Sequence, residues 1–191
     1  MSTFSIHTLS ITKFPPAADA RALVRLQMDH VSRTIVPAFY RYLQAQDQNA
    51  QIEFGNEFVA SFEGLVTLFE RAEREVVDTG GAAGEGEVKA LKQGLGLWVE
   101  GGELGMTDVM VGPCSFASID YEALLMIFYL VGLYRASNVL KHYRGFMMPT
   151  GKKFDAWVER LFNHPSFKGT CSTEQLYLDS YERWVMFSSV L

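Results

Sequence analysis

The side chains that could do chemistry in this chain are few and widely spaced. Thiols are strong nucleophiles only when ionised. Cys114 and Cys171 lie far apart in the 191 residues, and we interpret each as a passive thiol. The glycine-rich segment at 78–87 lacks the G-K-[ST] ending of a phosphate-binding loop, which disfavours nucleotide binding. The histidines have no metal-ligand spacing, so we predict no metal site. They are His7, His30, His142 and His164.

One carboxylate stands where its chemistry serves the fold. Asp108 follows Gly105, Met106 and Thr107 at the expected start of a third long helix, which is buried. A carboxylate at this position can accept hydrogen bonds from backbone N–H groups of the first turn and meet the helix dipole. We therefore predict a structural role for Asp108, worth about 1 kcal/mol or more from the capping contribution alone.

Composition limits the class of protein. The chain is 48% hydrophobic and 13% aromatic, which is typical of a globular sequence. A net charge of -5 without a basic stripe argues against nucleic acid as a partner. Two cysteines favour a reducing compartment over a disulfide framework. With no secretory signal and no apolar run of ~18 residues, we expect a soluble cytoplasmic protein and no membrane partner.

Two long amphipathic helices are expected to form the first half of the chain. Apolar residues recur at helical spacing from Pro15 to about residue 44, and Pro37 should kink this helix. A turn at 47–51 separates it from a second helix over about 52–77. Because the turn is short, the two helices should form an antiparallel pair. Beyond them, Leu97 and Trp98 are predicted as buried anchors of a glycine-punctuated connection.

The second half is expected to hold a docking core between residues 144 and 184. A helix should end before Pro165, because the residue before a proline avoids the α conformation. Ser172 and Gln175 have the spacing of a capping box that opens the next helix. The two helices are expected to meet across the proline corner. The first should turn Lys153, Glu159 and Arg160 toward water and bury Phe154, Trp157, Val158, Leu161 and Phe162. The second should carry Leu176, Tyr177, Tyr181, Trp184 and Val185 on its apolar face.

Four short motifs together indicate a family resemblance. ELGMTDVMVGP places Asp108 three residues after Gly105, and YRASNVL, AWVERLFNHPSF and LYLDSYERW follow it in the chain. The set resembles the C-terminal helical domain of cytosolic glutathione transferases, nearest to fungal omega-like members, over residues 15–187. Gly105 stands where the family's capping motif has Ser or Thr. The resemblance implies an all-α bundle of about five to seven helices around the third long helix, after a tail at 1–14.

Two departures from the family pattern affect function. The family carries its glutathione site and its catalytic Cys, Ser or Tyr on an N-terminal thioredoxin-like domain, and no segment here matches it. Neither cysteine of this chain matches the family's catalytic position, so no catalytic residue is assigned. About twenty residues at 114–133 also interrupt the central helix of the family. A genuine lineage-specific extension and translated non-coding sequence are both open explanations for them.

The resemblance also implies a set of site residues. Arg135 would face the acceptor-substrate pocket, where a guanidinium can hold an anionic or carbonyl group, or else make a buried structural pairing. Tyr177 would cover that pocket or simply pack in the core. On the first helix, Arg25, Met28 and Asp29 would line the cleft or only its solvated rim. We assign structural roles to Asp108, Trp157, Pro165 and Ser172.

Three functions remain open from the sequence. The first is an enzyme that uses glutathione as cosubstrate for thiol transfer or disulfide reduction, either complete in a way the sequence hides or with a thioredoxin-like partner chain supplying the missing half. Alternatively the chain is a non-catalytic helical module that binds a small hydrophobic or electrophilic ligand or another protein. In the third case it is a truncated product, whose exposed first helix would favour self-association and a homodimer.

Overall fold

The part of the chain described by the computed structural model comprises residues 18–79, 94–111, 136–170 and 173–186. These residues form helices and turns without any strand, so the predicted all-α class is confirmed for them. The bounds are α1 Ala18–His30, α2 Val36–Gln44, α3 Gln48–Thr79, α4 Met106–Val111, α5 Lys141–Arg144, α6 Lys152–Asn163, α7 Pro165–Thr170 and α8 Glu174–Met186. The predicted tail at 1–14 and the segment 114–133 lie outside the described residues.

A π segment joins α1 to α2 at the proline in the predicted first helix. Val31–Ile35 form a π-helix, in which the backbone N–H of Val36 donates to the carbonyl of Val31, five residues earlier. Pro37 has no N–H to donate to residue 33, and a wider turn lets the helix continue past it. A second π segment, Ala136–Leu140, leads into α5. The interruption expected at Pro37 is thus a π turn.

Helix α3 is the axis of the described fold. It begins at Gln48, four residues before the predicted start, because the Asp47 carboxylate caps it by accepting from the Ala50 N–H at 2.8 Å. Helices α1 and α2 pack along it. Both helices run antiparallel to α3. Gln27, the earlier residue, donates to the Leu68 carbonyl far along α3, whereas the later Arg41 donates to Glu57 nearer its start. Apolar side chains that recur along it at helical spacing are fully buried, namely Phe58, Phe62, Leu65 and Phe69.

The proline corner forms as expected, but the helix after it packs elsewhere. Helix α6 ends at Asn163, and Pro165 is the first residue of α7. Helix α8 packs mainly on α2 and the second π segment rather than on α6, with the Tyr181 and Phe39 ring centroids 5.8 Å apart. The prediction that α6 and α8 form one docking core was therefore wrong. A pattern of apolar residues shows that a face is buried, but it does not identify its partner.

The start and one face of α8 also differ from the prediction. The helix begins at Glu174, and the Thr173 hydroxyl accepts from the Leu176 N–H at 3.4 Å. The Gln175 amide donates to Asp179 at 2.7 Å rather than reaching back to cap the helix. Ser172 lies outside the described residues. On the predicted apolar face, Tyr177 and Tyr181 are buried, whereas Leu176 and Trp184 are 57% and 54% exposed.

Two classes of feature are missing from the part of the chain that is described. No helix there is both long and apolar enough to span a bilayer. No three His, Cys, Asp or Glu side chains within the same residues come together as a metal site would require.

Candidate functional site

A single buried carboxylate joins three separate segments. Asp108 is 1% exposed and lies in the first turn of α4. Its Oδ2 accepts from the backbone N–H groups of Gly105 and Leu97, both at 2.8 Å, and its Oδ1 accepts from the Trp157 indole Nε1–H at 2.8 Å. Gly105 is the residue before the helix, so this carboxylate reaches back to the cap position as the acidic half of a capping box does. The same bonds tie α4 to α6 and to the turn at Gly96–Trp98.

Burial and the neighbouring hydrogen-bond donors change the pKa of this carboxylate in opposite directions. Burial raises the pKa of the Asp108 carboxyl above its ordinary value of 3.8. The Trp157 indole, the N–H groups of Leu97 and Gly105, and the Arg160 guanidinium oppose this rise. Three N–H groups donate to its two oxygens, and none of these groups could accept a proton from the carboxyl group. Asp108 therefore serves as a structural hydrogen-bond acceptor.

The short 3₁₀ turn Gly96–Trp98 is fixed from both sides of its backbone. Asp108 accepts from its Leu97 N–H, while the Arg160 guanidinium donates to the Leu97 carbonyl at 2.7 Å and to the Trp98 carbonyl at 2.8 Å. Gly96 has a φ of +80°, and a Cβ there would lie 2.5 Å from Asp108 Oδ2. Glycine is required at this position both for its backbone conformation and for the close approach.

Arg160 corrects one prediction from the sequence. It was expected to face water, but it is half-buried and holds two backbone carbonyls. Trp157 and Arg160 are three residues apart on α6, so they share a face and both reach the 96–98 region. Lys153 and Glu159 are exposed as expected.

The Gly96–Trp98 turn places the Trp98 indole in the core, where its N–H has no hydrogen-bond acceptor. Trp98 is 4% exposed, and its ring stacks on Phe69 with centroids 4.9 Å apart and an interplanar angle of 14°. It also meets Trp157 edge-on at 6.1 Å. Its Nε1–H is buried and has no hydrogen-bond partner. A buried donor without an acceptor is unfavourable, because it has lost its hydration without replacement.

Trp98 also lines a pocket of about 480 Å³ between α3 and the start of α6. This volume lies in the range of small-molecule sites. Phe62, Val66, Trp98 and Phe154 supply its apolar surface, and α3 adds Glu63, Thr67 and Glu70. The remaining wall is the segment from Pro149 through Thr150 and Gly151 to Lys152 and Lys153. The pocket therefore has carboxylates of α3 on one side and lysines of α6 on the other, and its aromatic lining residues are almost fully buried.

The site residues implied by the family resemblance lie in other places. Arg135, the central member, falls outside the described residues. Tyr177 is 7% exposed on α8. On α1, Arg25 and Asp29 are exposed and Met28 is half-buried. Asp29 forms an ion pair with Arg33 at 2.7 Å. The predicted acceptor pocket around these residues stays a prediction.

The remaining residues predicted from the sequence have contacts typical of a structural role, or they lie outside the residues that the structure describes. Asp108 and Trp157 share the hydrogen bond given above, and Trp157 is fully buried. Pro165 opens α7. Ser172, Cys114 and Cys171 are not among the described residues. Leu97 and Trp98 are 6% and 4% exposed, so their prediction as buried anchors is confirmed.

Sequence reasoning missed two further polar contacts in the core. Thr107 donates to the Gln27 side-chain oxygen at 2.9 Å, which links α4 to α1. The half-buried Arg144 guanidinium donates to the carbonyls of Tyr42, at 3.2 Å, and Leu43, at the end of α2. Both contacts join residues more than 75 positions apart. No local spacing signals them, although a basic residue is a favoured partner for the carbonyls that end a helix.

Comparison with known proteins leaves the family open. No protein-family model, no curated protein and no solved structure matches this chain.

Proposed function

We propose that this chain is the helical half of a glutathione-transferase-like protein and binds a small hydrophobic or electrophilic ligand. The observation that carries the proposal is the Asp108 arrangement. A buried carboxylate in the first turn of α4 bonds the N–H of the residue before the helix. This is the geometry that the resemblance of ELGMTDVMVGP to the family's capping motif leads one to expect. The interior position of Trp157 in AWVERLFNHPSF gives a second, weaker support.

On this proposal the chemistry needs a second component. Glutathione would be the cosubstrate, and a thioredoxin-like partner chain would supply the group that lowers the pKa of its thiol. The present chain would contribute the acceptor side, with Arg135 and Tyr177 at the ligand. The reaction would be thiol transfer to an electrophile or reduction of a mixed disulfide.

Calorimetric titration with glutathione tests the proposal directly. We expect saturable binding in the millimolar range or tighter, weakened by Arg135→Gln. Arg71→Gln is the matched control, because Arg71 is exposed and pairs with Glu75 on the surface of α3. Circular dichroism must first show that every sample is helical. No heat of binding in a folded sample would exclude glutathione as a ligand of this chain alone.

The second candidate is a non-catalytic binding module. The observation that favours it is the composition of the pocket beside Trp98, whose described lining contains neither cysteine nor histidine. Such a site can hold a ligand but offers no thiolate or imidazole for nucleophilic or acid–base catalysis. Turnover of glutathione with an electrophile after a thioredoxin-like chain is added would favour the enzyme, and ligand binding without turnover would favour the module.

A further inference from the structure

Helix α8 buries one face and turns the opposite face to solvent. Tyr177 and Tyr181 are buried, and the Tyr181 ring packs on Phe39 of α2 with centroids 5.8 Å apart. On the far side of the helix, Leu176 and Met186 are 57% and 62% exposed. Two exposed charged residues lie between them. We define the outer face of α8 by these four residues, which are Leu176, Asp179, Arg183 and Met186.

The spacing of the outer face is that of a coiled-coil seam. Its four residues follow one another at intervals of three, four and three. These intervals are those of the a and d positions in two heptads, which lie in one stripe along a helix. A second helix laid along this stripe would contact all four residues. At ~1.5 Å per residue the stripe is about 15 Å long.

The two charges at the centre of the stripe have opposite sign and do not pair with each other. The Asp179 carboxylate accepts from the Gln175 amide at 2.7 Å. Arg183 is exposed, and no ion pair joins it to Asp179 or to any other residue that the structure describes. Because a carboxylate can accept several hydrogen bonds, both charges are available to a second molecule.

The outer face is complementary to a second copy of itself in one orientation. In an antiparallel pair with a two-fold axis level with Tyr181, Asp179 lies opposite Arg183 of the second copy, and the axis repeats this contact. The same axis places Leu176 opposite Met186 of the second copy. A parallel pair would instead bring Asp179 against Asp179 and Arg183 against Arg183, and both contacts are repulsive.

We propose that the outer face of α8 is the interface of a homodimer in which two α8 helices pack antiparallel. Each dimer contains two Asp179–Arg183 ion pairs between two Leu176–Met186 contacts. One short stripe covers less than the ~800 Å² per partner that a standard interface buries, so the dimer is weak, with a Kd on the order of 100 µM. This inference is independent of the glutathione proposal.

Sedimentation equilibrium of the full chain, from about 10 µM to about 1 mM, tests the assignment around that Kd. We expect a reversible monomer–dimer equilibrium. Asp179→Arg and Arg183→Asp should each weaken it by at least about tenfold, because each turns both ion pairs into like-charge contacts. A mixture of these two variants should dimerise again, since one chain then presents two basic positions and the other two acidic ones.

Matched controls separate the outer face from other exposed residues. Glu53→Arg reverses an exposed charge on α3, away from the outer face, and should leave the Kd unchanged. Leu176→Gln should weaken the dimer by about three- to tenfold through lost apolar contact. Leu26→Gln changes a leucine of α1 that is 47% exposed, and it should have no effect. Circular dichroism checks that every variant is helical.

Three results would overturn the proposal. A helical chain that stays monomeric up to about 1 mM would leave this face to solvent or to a different protein. A dimer unaffected by either charge reversal, or variants that stay monomeric when mixed, would exclude the ion pairs. Dissociation by Leu26→Gln alone would move the interface to α1. Because no sample contains glutathione, failure here is distinct from failure of the glutathione titration.

Discussion

Replacing each of the two neighbouring buried tryptophans by phenylalanine should have opposite consequences. Trp157 and Trp98 are 0% and 4% exposed and contact each other. Only Trp157 uses its indole N–H, which donates to the Asp108 carboxylate at 2.8 Å, while that of Trp98 has no acceptor. The pair therefore separates the effect of a hydrogen bond from the effect of a smaller ring.

The expected magnitudes follow from these contacts. Either change removes roughly 40 Å³ of side chain, which costs about 1 kcal/mol at ~24 cal/mol per Å³ of cavity. Trp157→Phe also removes a bond to an ionised acceptor, worth about 1.5–3 kcal/mol, for a total near 3 kcal/mol. Trp98→Phe loses no hydrogen bond and removes a buried, unsatisfied donor, a relief of about 1–3 kcal/mol that offsets its cavity.

Urea denaturation followed by far-ultraviolet circular dichroism measures both free energies of unfolding. We expect Trp157→Phe to be less stable than Trp98→Phe by about 2.5–6 kcal/mol, because the two cavity costs cancel and the lost bond adds to the relieved donor. Equal m-values would show that the denatured states are comparable. The reasoning is refuted if the two variants differ by less than about 1.5 kcal/mol, the lower limit for a bond to a charged acceptor.

Three further predictions concern the same network and the end of α2. Because burial raises the folded-state pKa of Asp108 above 3.8, its contribution to stability is largest below pH 3.8 and is lost as the pH rises through the raised pKa. Urea titrations of wild type and Asp108→Asn should therefore differ less as the pH rises over that window, and a growing difference would contradict this sign. Gly96→Ala should cost about 2 kcal/mol or more, because it adds a clash with Asp108 to the penalty of positive φ. In the control Gly101→Ala, φ is +76° but the space around the Cβ is open, so the cost should be only about 1–2 kcal/mol. Thermal unfolding should show that Arg144→Lys costs about 1–2 kcal/mol, because a lysine cannot hold both α2 carbonyls. The control Arg33→Lys, at an exposed ion pair, should change stability little. Equal effects of the two changes would argue against a capping role for Arg144.

Features set by local spacing could be predicted from the sequence. The stripe from Phe58 to Phe69 recurs at helical intervals, and the structure buries it. Likewise, Pro165 ends α6 because the residue before a proline avoids the α conformation. Asp108 could be recognised from its position at a helix start. In each case the cause lies within a few residues of the effect.

Contacts between distant segments could not be predicted in the same way. Arg160 was assigned to water because it is charged, but its partners are carbonyls of a turn more than 60 residues away. Trp184 was assigned to the core because it lies at a helical interval from Tyr177, yet α8 turns that edge to solvent. The Trp98 pocket has no sequence signature, since three separate segments form its walls.

The length of α3 has a consequence for how the domain unfolds. At ~1.5 Å per residue its 32 residues extend about 48 Å. Along this length α3 packs against α1 and α2, and its Phe62 and Phe69 rings contact α6 and the Trp98 turn. Every one of these neighbours would lose its support if α3 opened. We therefore expect amide hydrogens along the middle of α3 to exchange only through global unfolding, and those of α8, which packs mainly on other elements, to exchange through a smaller opening.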